Sequence, residues 1–288
     1  ARAVRSRLVP SAAAVALALG TAAACGTMLP EDDASFADGG DAAPPAADAA
    51  ADGATVEAAI EGGRDYHAEV MADEPVAYYR FEEDSDATSA IDEMGAHPGV
   101  YQGPSTIVRG LAGEGHARKF EVDSAGTGVS VASDAAMSLA FAGARAMSVE
   151  VWIQGRPASP TEGVVLGRFA NGVRNFPNGG GYGLFVSDTV RFVRQRSDNA
   201  FSVSTESSEA FPLDGTRHVV ATYDGKTVVL YVDGVRSAAA DTDVELESSS
   251  SPLLIGAGVE PFLGPIDEVA VYAHALPPER VKAHYDAR

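Results

Sequence analysis

Short apolar segments follow one another along the chain from about residue 76 onward, and most of them alternate apolar with polar residues. They are rich in Val, Phe and Tyr, and clusters of Gly, Pro, Asp or Ser separate them. A two-residue period interrupted by turn residues predicts β-strands in an antiparallel sandwich or jelly roll. The segments are VAYYRFE, GVSVAS, MSVEVWIQ, GVVLGRF, YGLFVS, VRFV, FSVST, HVVATYD, TVVLYVDG, LLIGAG and IDEVAVY.

The clearest local structure is a hairpin over residues 218–237. Apolar residues alternate on both sides of the pair Asp224-Gly225, and Asp233-Gly234 makes a second turn. Asp-Gly pairs supply the positive φ that tight hairpin turns need. The two aspartates are therefore interpreted as turn residues and not as catalysts.

One helix is predicted, in ALPPERVKAHYDA near the C-terminal end. Pro277 and Pro278 suit a first helical turn, and Val281 and Tyr285 are spaced to share a face. No helical segment lies between the strands, which argues against a parallel α/β fold. The prediction for residues 73–288 is an all-β domain: a two-sheet antiparallel β-sandwich with a short C-terminal helix.

Residues 1–25 have the pattern of a secretory signal peptide. A basic start, a mild apolar run and small residues lead to Cys25, the only cysteine of the chain. The end TAAAC resembles a bacterial lipobox. This resemblance implies lipidation of Cys25, and Gly26 after it implies an outer-membrane or cell-surface lipoprotein. An ordinary signal peptide with an incidental cysteine is the alternative.

Residues 26–72 are predicted to form a disordered acidic linker. Between residues 26 and 63 there are nine acidic residues and no basic one, among many Ala, Gly and Pro. Such a segment buries too little apolar surface to offset the entropy of ordering. The whole chain has a net charge of −20 at pH 7. This charge argues against nucleic acid and anionic membrane surfaces as partners, so only a lipid anchor is expected to hold the protein to a membrane.

Four segments of the predicted domain carry a family resemblance. They are VAYYRFEED, MSVEVWIQ, RHVVATYDGKTVVLYVDG and FLGPIDEVAVYAHALPPERV, in this order. They resemble laminin-G-like jellyroll domains of the concanavalin-A-like lectin and glucanase superfamily. The resemblance implies two stacked sheets, one of them concave, with ligand or metal sites in the rim loops. It also implies binding of glycans or proteins far more often than catalysis, although the same fold carries glucanases.

Asp267 begins the apolar part of the strand IDEVAVY. A two-residue period places it on the same face as Val269, and this aliphatic face is expected to be buried. A buried carboxylate needs a cation, an arginine or backbone N–H donors. The family resemblance implies a calcium ion. Its ligands would be Asp123, Asp267 and the carbonyls near Gly126 and Gly128. The alternative is a structural Asp267 held by backbone donors.

The strand MSVEVWIQ has an aliphatic face and a second face with Glu150 and Trp152. Next to a sugar, an indole is a stacking platform and a carboxylate accepts hydrogen bonds from hydroxyls, so both residues are candidates for ligand binding. A structural tryptophan covered by loops, as the family resemblance implies, is the alternative. Glycoside hydrolysis needs paired carboxylates. Glu150 is alone on its strand, so the hydrolase interpretation is weak.

The glycine-rich segment 171–183 is predicted to be a long loop. Binding residues concentrate on loops above a rigid scaffold. The candidates for a ligand-binding rim are Asn175, Phe176, Asn178 and Tyr182. A plain hairpin connection is the alternative. Nearby arginines, from Arg168 to Arg196, form a local basic cluster that suits an acidic glycan or protein, or else a solvated face.

These observations predict a lipid-anchored extracellular domain that binds a glycan or protein ligand without catalysis, with calcium as a candidate stabilising ion. Two other classes stay open: a glycoside hydrolase that acts on the concave sheet face, and a structural surface protein without a small ligand. Exposed aromatic residues would favour glycan binding, and paired concave carboxylates would favour hydrolysis.

Overall fold

The protein is described here by a computed structural model that covers residues 65–121, 127–155, 162–169, 180–197, 202–258 and 260–288. All of these residues belong to one structural unit. The helices are α1 (Tyr66–Ala72) and α2 (Pro278–Asp286). The strands are β1 (Ala77–Tyr79), β2 (Ser89–Ala90), β3 (Gly99–Gln102), β4 (Ser105–Arg109), β5 (His116–Phe120), β6 (Gly128–Val131), β7 (Met147–Gln154), β8 (Gly163–Phe169), β9 (Gly181–Val186), β10 (Val190–Gln195), β11 (Ser202–Glu206), β12 (Thr216–Tyr223), β13 (Thr227–Val232), β14 (Val235–Asp241), β15 (Leu253–Ile255) and β16 (Pro265–Tyr272).

The strands form two antiparallel sheets. Sheet 1 has the order β14-β13-β12-β7-β16-β5-β4, with β1 also paired to β16. Sheet 2 has the order β11-β10-β9-β8-β15-β6-β3-β2. Neighbours in the sheets are often far apart in sequence, as in a jelly roll. The predicted two-sheet antiparallel sandwich with a short C-terminal helix is confirmed.

The predicted hairpin is present in β12 and β13. Val219 lies opposite Val232, Ala221 opposite Leu230 and Tyr223 opposite Val228. The Asp224 carboxylate accepts hydrogen bonds from the backbone N–H groups of Lys226 and Thr227, at 2.8 and 2.7 Å. These bonds close the turn, and they lower the pKa of Asp224.

The main core lies between the two sheets. The aliphatic face of β7, including Val149, Val151 and Ile153, packs there with residues of sheet 2 such as Leu184 and Leu253. All five are fully buried. Strand alternation therefore assigned the inner face of β7 correctly.

A second apolar layer covers the outer face of sheet 1. Trp152 and Tyr272 of that face pack with Tyr66 and Val70 of α1 and with Val281 of α2. The first helix begins after Asp65, whose side chain accepts a hydrogen bond from the backbone N–H of His67 at 3.1 Å. Neither helix of the described ranges has the length and apolarity that a membrane span requires.

The position of α1 corrects the predicted C-terminal end of the linker. Composition placed residues 65–72 in a disordered segment that ended at residue 72. Asp65 instead caps the seven-residue helix α1, and Tyr66 and Val70 of this helix are buried against the sandwich. A few apolar residues at helical spacing are enough to dock a short helix where a sheet offers an apolar face.

Candidate functional site

The middle of β7 carries a fully buried carboxylate, Glu150. Its Oε2 atom accepts a hydrogen bond from the Tyr272 hydroxyl at 2.6 Å, and Oε1 accepts one from the Tyr66 hydroxyl at 2.9 Å. His218 Nε2 lies 2.7 Å from Oε1, and His284 Nδ1 lies 2.9 Å from Oε2. Since a carboxylate only accepts hydrogen bonds, both imidazole nitrogens carry protons. Donors from β12, β16, α1 and α2 thus surround Glu150.

The histidines keep Glu150 charged where burial alone would neutralise it. Burial raises the pKa of the Glu150 carboxyl, but the charge of His284 and the hydrogen bonds from His218 and His284 outweigh it and hold the pKa well below its usual range. Burial lowers the pKa of His284, but the carboxylates of Glu150 and Asp73 outweigh it and raise the pKa above its ordinary value. The two side chains therefore form a buried ion pair.

The contacts continue from His284 to the surface and join the two helices. His284 Nε2 lies 2.8 Å from Asp73 Oδ2, and Arg280 Nε donates to the same oxygen at 2.8 Å. Arg280 also donates to the Glu69 carboxylate at 2.7 Å. We name these connected residues the Glu150 network: Tyr66, Glu69, Asp73, Glu150, His218, Tyr272, Arg280 and His284.

Trp152 lies beside this network and is 1% exposed. Its ring stacks on His218, with centroids 4.9 Å apart, and on Tyr285, with centroids 6.0 Å apart. Tyr66 contacts it edge-on. The expected ligand platform of Glu150 and Trp152 therefore has no exposed surface, because α1 and α2 cover both residues. The alternative interpretation, a structural tryptophan, fits this burial.

Asp267 lies on the outer face of sheet 1, and this corrects the face that the two-residue period assigned. Asp267 is opposite Trp152, whereas Ala270 is opposite Glu150, so β16 has one extra residue between the two pairs. Glu268 takes the irregular position, with a φ of 51°. Such a β-bulge reverses the alternation of faces. Asp267 therefore does not share the core face of Val269.

The two carboxylates at the bulge are buried and have different partners. Asp267 Oδ2 accepts a hydrogen bond from the Leu111 N–H at 2.8 Å, whereas Oδ1 is buried without a hydrogen-bond partner in the described ranges. Glu268 accepts hydrogen bonds from the Tyr78 hydroxyl and from Arg80 Nε, the latter at 3.3 Å. Burial and the charge of Glu268 raise the pKa of Asp267. Burial raises the pKa of Glu268 to about 7, although Tyr78 and Arg80 oppose this shift.

The calcium site expected from the family resemblance stays a prediction. Asp123 and Gly126 lie outside the described residues. Gly128 is the first residue of β6 in sheet 2, with a φ of 112°, and a Cβ there would lie 2.5 Å from the carbonyl oxygen of Ile255. In the part of the chain that the structure describes, no three His, Cys, Asp or Glu side chains come together as a metal site.

The predicted loop 171–183 is described only at its end, and Asn175, Phe176 and Asn178 lie outside the described residues. Tyr182 belongs to β9 and is fully buried in the main core. Its hydroxyl donates to the carbonyl oxygen of Leu139 at 2.9 Å. Tyr182 is therefore a core residue and not part of an exposed ligand-binding rim.

The basic cluster is partly internal in the described ranges. Arg168 and Arg194 are buried. The Arg194 guanidinium lies 3.6 Å from the ring centroid of Tyr223, and burial lowers its pKa to about 10. Arg191 forms an ion pair with Glu162. Two of these three arginines are buried and the third is paired, so they do not form one solvated basic face.

One cleft of the described surface lies between the segment after β11 and the β13–β14 turn. Its volume is about 260 Å³. We name it the serine cleft, and its lining includes Ser207, Ser208, Ser237, Arg217, Arg236 and Val235. The lining therefore combines hydroxyl groups, guanidinium groups and an exposed valine side chain. The carboxylates of Glu209 and Asp233 also line this cleft, and Asp233 forms an ion pair with Arg217.

Another cleft lies at the end of sheet 1 where β7 ends and β12 begins. Its volume is about 590 Å³. We name it the arginine cleft, and its lining includes Val108, Arg109, Leu111, Gln154, Thr216 and Arg288. Sequence reasoning missed this site. Two features of the sequence could have indicated it. Arg109 precedes the glycine-rich segment GLAGEG, and the predicted strand that contains Trp152 ends in Gln154.

Comparison with known families agrees with this architecture. A laminin G family model, described as the concanavalin A-like lectin/glucanases superfamily, matches residues 123–282, more than half of the chain. The chain belongs to this superfamily. A search of curated proteins finds no significant sequence match.

Solved structures share this superfamily fold at low sequence identity. The binding domain of Paraclostridial Mosquitocidal Protein 1 is 14% identical with a TM-score of 0.57, over 73% of this chain and 51% of that one. The botulinum neurotoxin serotype D ligand binding domain, in complex with N-acetylneuraminic acid, is 14% identical with a TM-score of 0.58, over 78% and 53%. The botulinum neurotoxin type G receptor binding domain is 11% identical with a TM-score of 0.54, over 73% and 50%. The chain spans about half the length of these structures, and the likeness is one of fold.

The raised pKa of Glu268 predicts a specific pH dependence of stability in this jellyroll domain. Between its ordinary pKa and about 7, the folded protein keeps a proton that the unfolded chain has lost. Stability therefore falls as the pH rises through this window. Glu268→Gln mimics the protonated form and removes this contribution. We expect the wild type to lose about 2.5 kcal/mol more unfolding free energy than the variant between pH 5 and pH 8.

Urea unfolding at several pH values, with a chelator present, measures this difference. Glu93→Gln is the matched control because Glu93 is exposed, and its pH profile should follow that of the wild type. Parallel profiles for the wild type and Glu268→Gln would show that Glu268 does not titrate in this window.

Proposed function

We propose that this protein is a non-catalytic binding module whose ligand is a glycan or an extracellular protein. The observation that carries the proposal is the fold shared with toxin binding domains, one of which was solved in complex with N-acetylneuraminic acid. A shared fold does not define function by itself, so the residues of this chain must also be compatible with binding.

The positions of the acidic residues support binding over hydrolysis. A glycosidase needs two carboxylates at the scissile bond, about 5 Å or more apart. Glu150 is fully buried, and both of its oxygens accept hydrogen bonds from protein groups. Asp267 and Glu268 are also buried, at 2% and 4% exposure. None of these three carboxylates is open to a sugar.

The surface of the domain supports a glycan as the ligand. The serine cleft combines hydroxyl groups, such as those of Ser208 and Ser237, with the guanidinium of Arg236. Val235, which is 64% exposed, adds an apolar edge. Sugar rings bind through this combination of directed polar groups and apolar contact.

A glycan array tests the proposal. The 288-residue chain with Cys25→Ser, which cannot be lipidated, is labelled and applied to the array. We expect it to bind a restricted group of glycans and to release no reducing sugar from them. Binding to no glycan would contradict the glycan proposal, and release of reducing ends would contradict the non-catalytic one.

The proposal includes a lipid anchor at Cys25 and a location at the outer membrane or cell surface. Its support is the basic, apolar and small-residue order of residues 1–25. Several acyl chains on one cysteine give stable anchoring. Cells fed a palmitate analogue should label the wild-type chain and not Cys25→Ser. Equal labelling of both proteins would refute the anchor.

Calcium is part of the proposal as a stabilising ion at Asp267. Its support is the buried Asp267 Oδ1 atom, which has no hydrogen-bond partner in the described ranges and which a hard cation would satisfy. An ion that binds only the folded state adds about 2.7 kcal/mol at a hundredfold excess over Kd. We therefore expect calcium to raise the melting temperature by several degrees.

Melting curves in calcium and in chelator check this expectation. Asp267→Asn should abolish the calcium effect, whereas Asp86→Asn, which changes an exposed aspartate, should keep it. Identical curves in calcium and in chelator would rule out the ion. Asp267 would then be a structural carboxylate held by the N–H of Leu111.

A further inference from the structure

The side chains that line the arginine cleft have a charge opposite to the net charge of the protein. The chain has a net charge of −20, yet the charged side chains that line this cleft are Arg109 and Arg288, with no carboxylate side chain among the lining residues. Clefts lined by one sign of charge concentrate ligands of the opposite sign. The cleft is therefore suited to an anionic group.

The fold brings the two arginines to one place from distant parts of the chain. Arg109 is the last residue of β4 and pairs with His116 of β5. The loop between these strands approaches Arg288, since a Cβ added at Gly113 would lie 3.7 Å from the Arg288 main chain. Gly113 has a φ of 129°, which a glycine adopts without strain. The loop can therefore pass close to Arg288.

The guanidinium groups keep their hydrogen-bonding capacity. In the described ranges neither Arg109 nor Arg288 has an ion-pair partner. The Arg288 guanidinium lies 4.1 Å from the ring centroid of Tyr285 and 5.6 Å from that of Trp152. Stacking on aromatic rings positions a guanidinium and leaves its N–H edge for an anion. A planar carboxylate matches the fork of such N–H groups.

The remaining lining residues suit a sugar more than a bare anion. Gln154 ends β7 and lies opposite Thr216, which begins β12. An amide and a hydroxyl are thus placed side by side at the end of two paired strands. Val108 and Leu111 add apolar surface. The volume of about 590 Å³ is in the range of small-molecule sites.

We propose that the arginine cleft binds an acidic sugar residue of a glycan, whose carboxylate lies between Arg109 and Arg288. Gln154 and Thr216 contact the sugar hydroxyls, and Val108 and Leu111 contact its apolar face. This inference rests on the proposed function of glycan binding. It adds a cleft separate from the serine cleft and names the class of sugar that this cleft binds. A long polyanion is a poor alternative because the rest of this acidic protein would repel it.

The test uses pairs of probes that differ in one charge. They are methyl glucuronide with methyl glucoside, and N-acetylneuraminic acid with its methyl ester. Ligand-observed NMR titration of the full chain with Cys25→Ser measures the affinities. We expect at least one acid to bind about tenfold or more tightly than its neutral partner, because a charged carboxylate hydrogen-bonds to the guanidinium groups. The preference should weaken as salt increases.

Variants then locate the binding. Arg109→Gln and Arg288→Gln should each reduce the affinity for the acid about tenfold, with little effect on the neutral partner. Arg145→Gln is the matched control and should change neither affinity. Arg145 is exposed and precedes the start of β7, whereas Gln154 is at the other end of that strand. Melting curves show whether each variant remains folded.

The following results would overturn this inference. Equal binding of acid and neutral sugars, or no effect of Arg109→Gln when glycans still bind, would reject the arginine cleft and leave the proposed function standing. Inorganic phosphate that competes as well as the acidic sugar would show a general anion site without sugar recognition. Failure to bind any glycan on the array contradicts the glycan part of the proposed function, which is a separate result.

Discussion

The structure depends on the satisfaction of one buried charge, the carboxylate of Glu150. Removing one partner from a buried ion pair typically costs about 3–5 kcal/mol of stability. Each donor to Glu150 must therefore stay within hydrogen-bonding distance of its carboxylate. The two tyrosines and two histidines that supply these donors come from four elements other than β7. Together with the apolar layer around Trp152, these contacts hold both helices on sheet 1. This packing also explains why Trp152, which packs beside the same carboxylate, is a framework residue.

Much of the fold follows from local patterns in the sequence. The strands β7 and β8 are present over the segments that alternation assigned, and the Asp224-Gly225 turn sets the predicted register of β12 and β13. Alternation did not predict a strand, or assigned its faces wrongly, where apolar and polar residues do not mark a buried and an exposed face. The strand β4 is exposed or half-buried along its length, so its sequence carries no clear apolar period. The bulge at Glu268 inverted the faces in β16, because one extra residue changes the phase of every alternation that follows it.

The candidate site was harder to predict, because its residues meet only through tertiary contacts. Arg109 is the last residue of a strand that the pattern did not reveal. The pairing of Gln154 with Thr216 depends on the register of two strands that are distant in sequence. The alternation in β7 placed Glu150 and Trp152 on the outer face correctly. It gave no information about what covers that face, since composition assigned the residues of α1 to a linker. Burial of a polar residue depends on neighbours that a single strand does not contain.

The pairing of α1 with α2 has a consequence for the kinetics of folding. Arg280 contacts Glu69 across a sequence separation of 211 residues, and β1 pairs with β16 over a similar span. Contacts of such high sequence separation slow folding because a long loop must close before they form. On the ribosome, Glu150 emerges well before His284, so its carboxylate lacks this ion-pair partner until α2 has been synthesised. The domain therefore cannot complete its native packing until its C-terminal helix is released, and an incomplete chain exposes the apolar outer face of sheet 1 to chaperones and proteases.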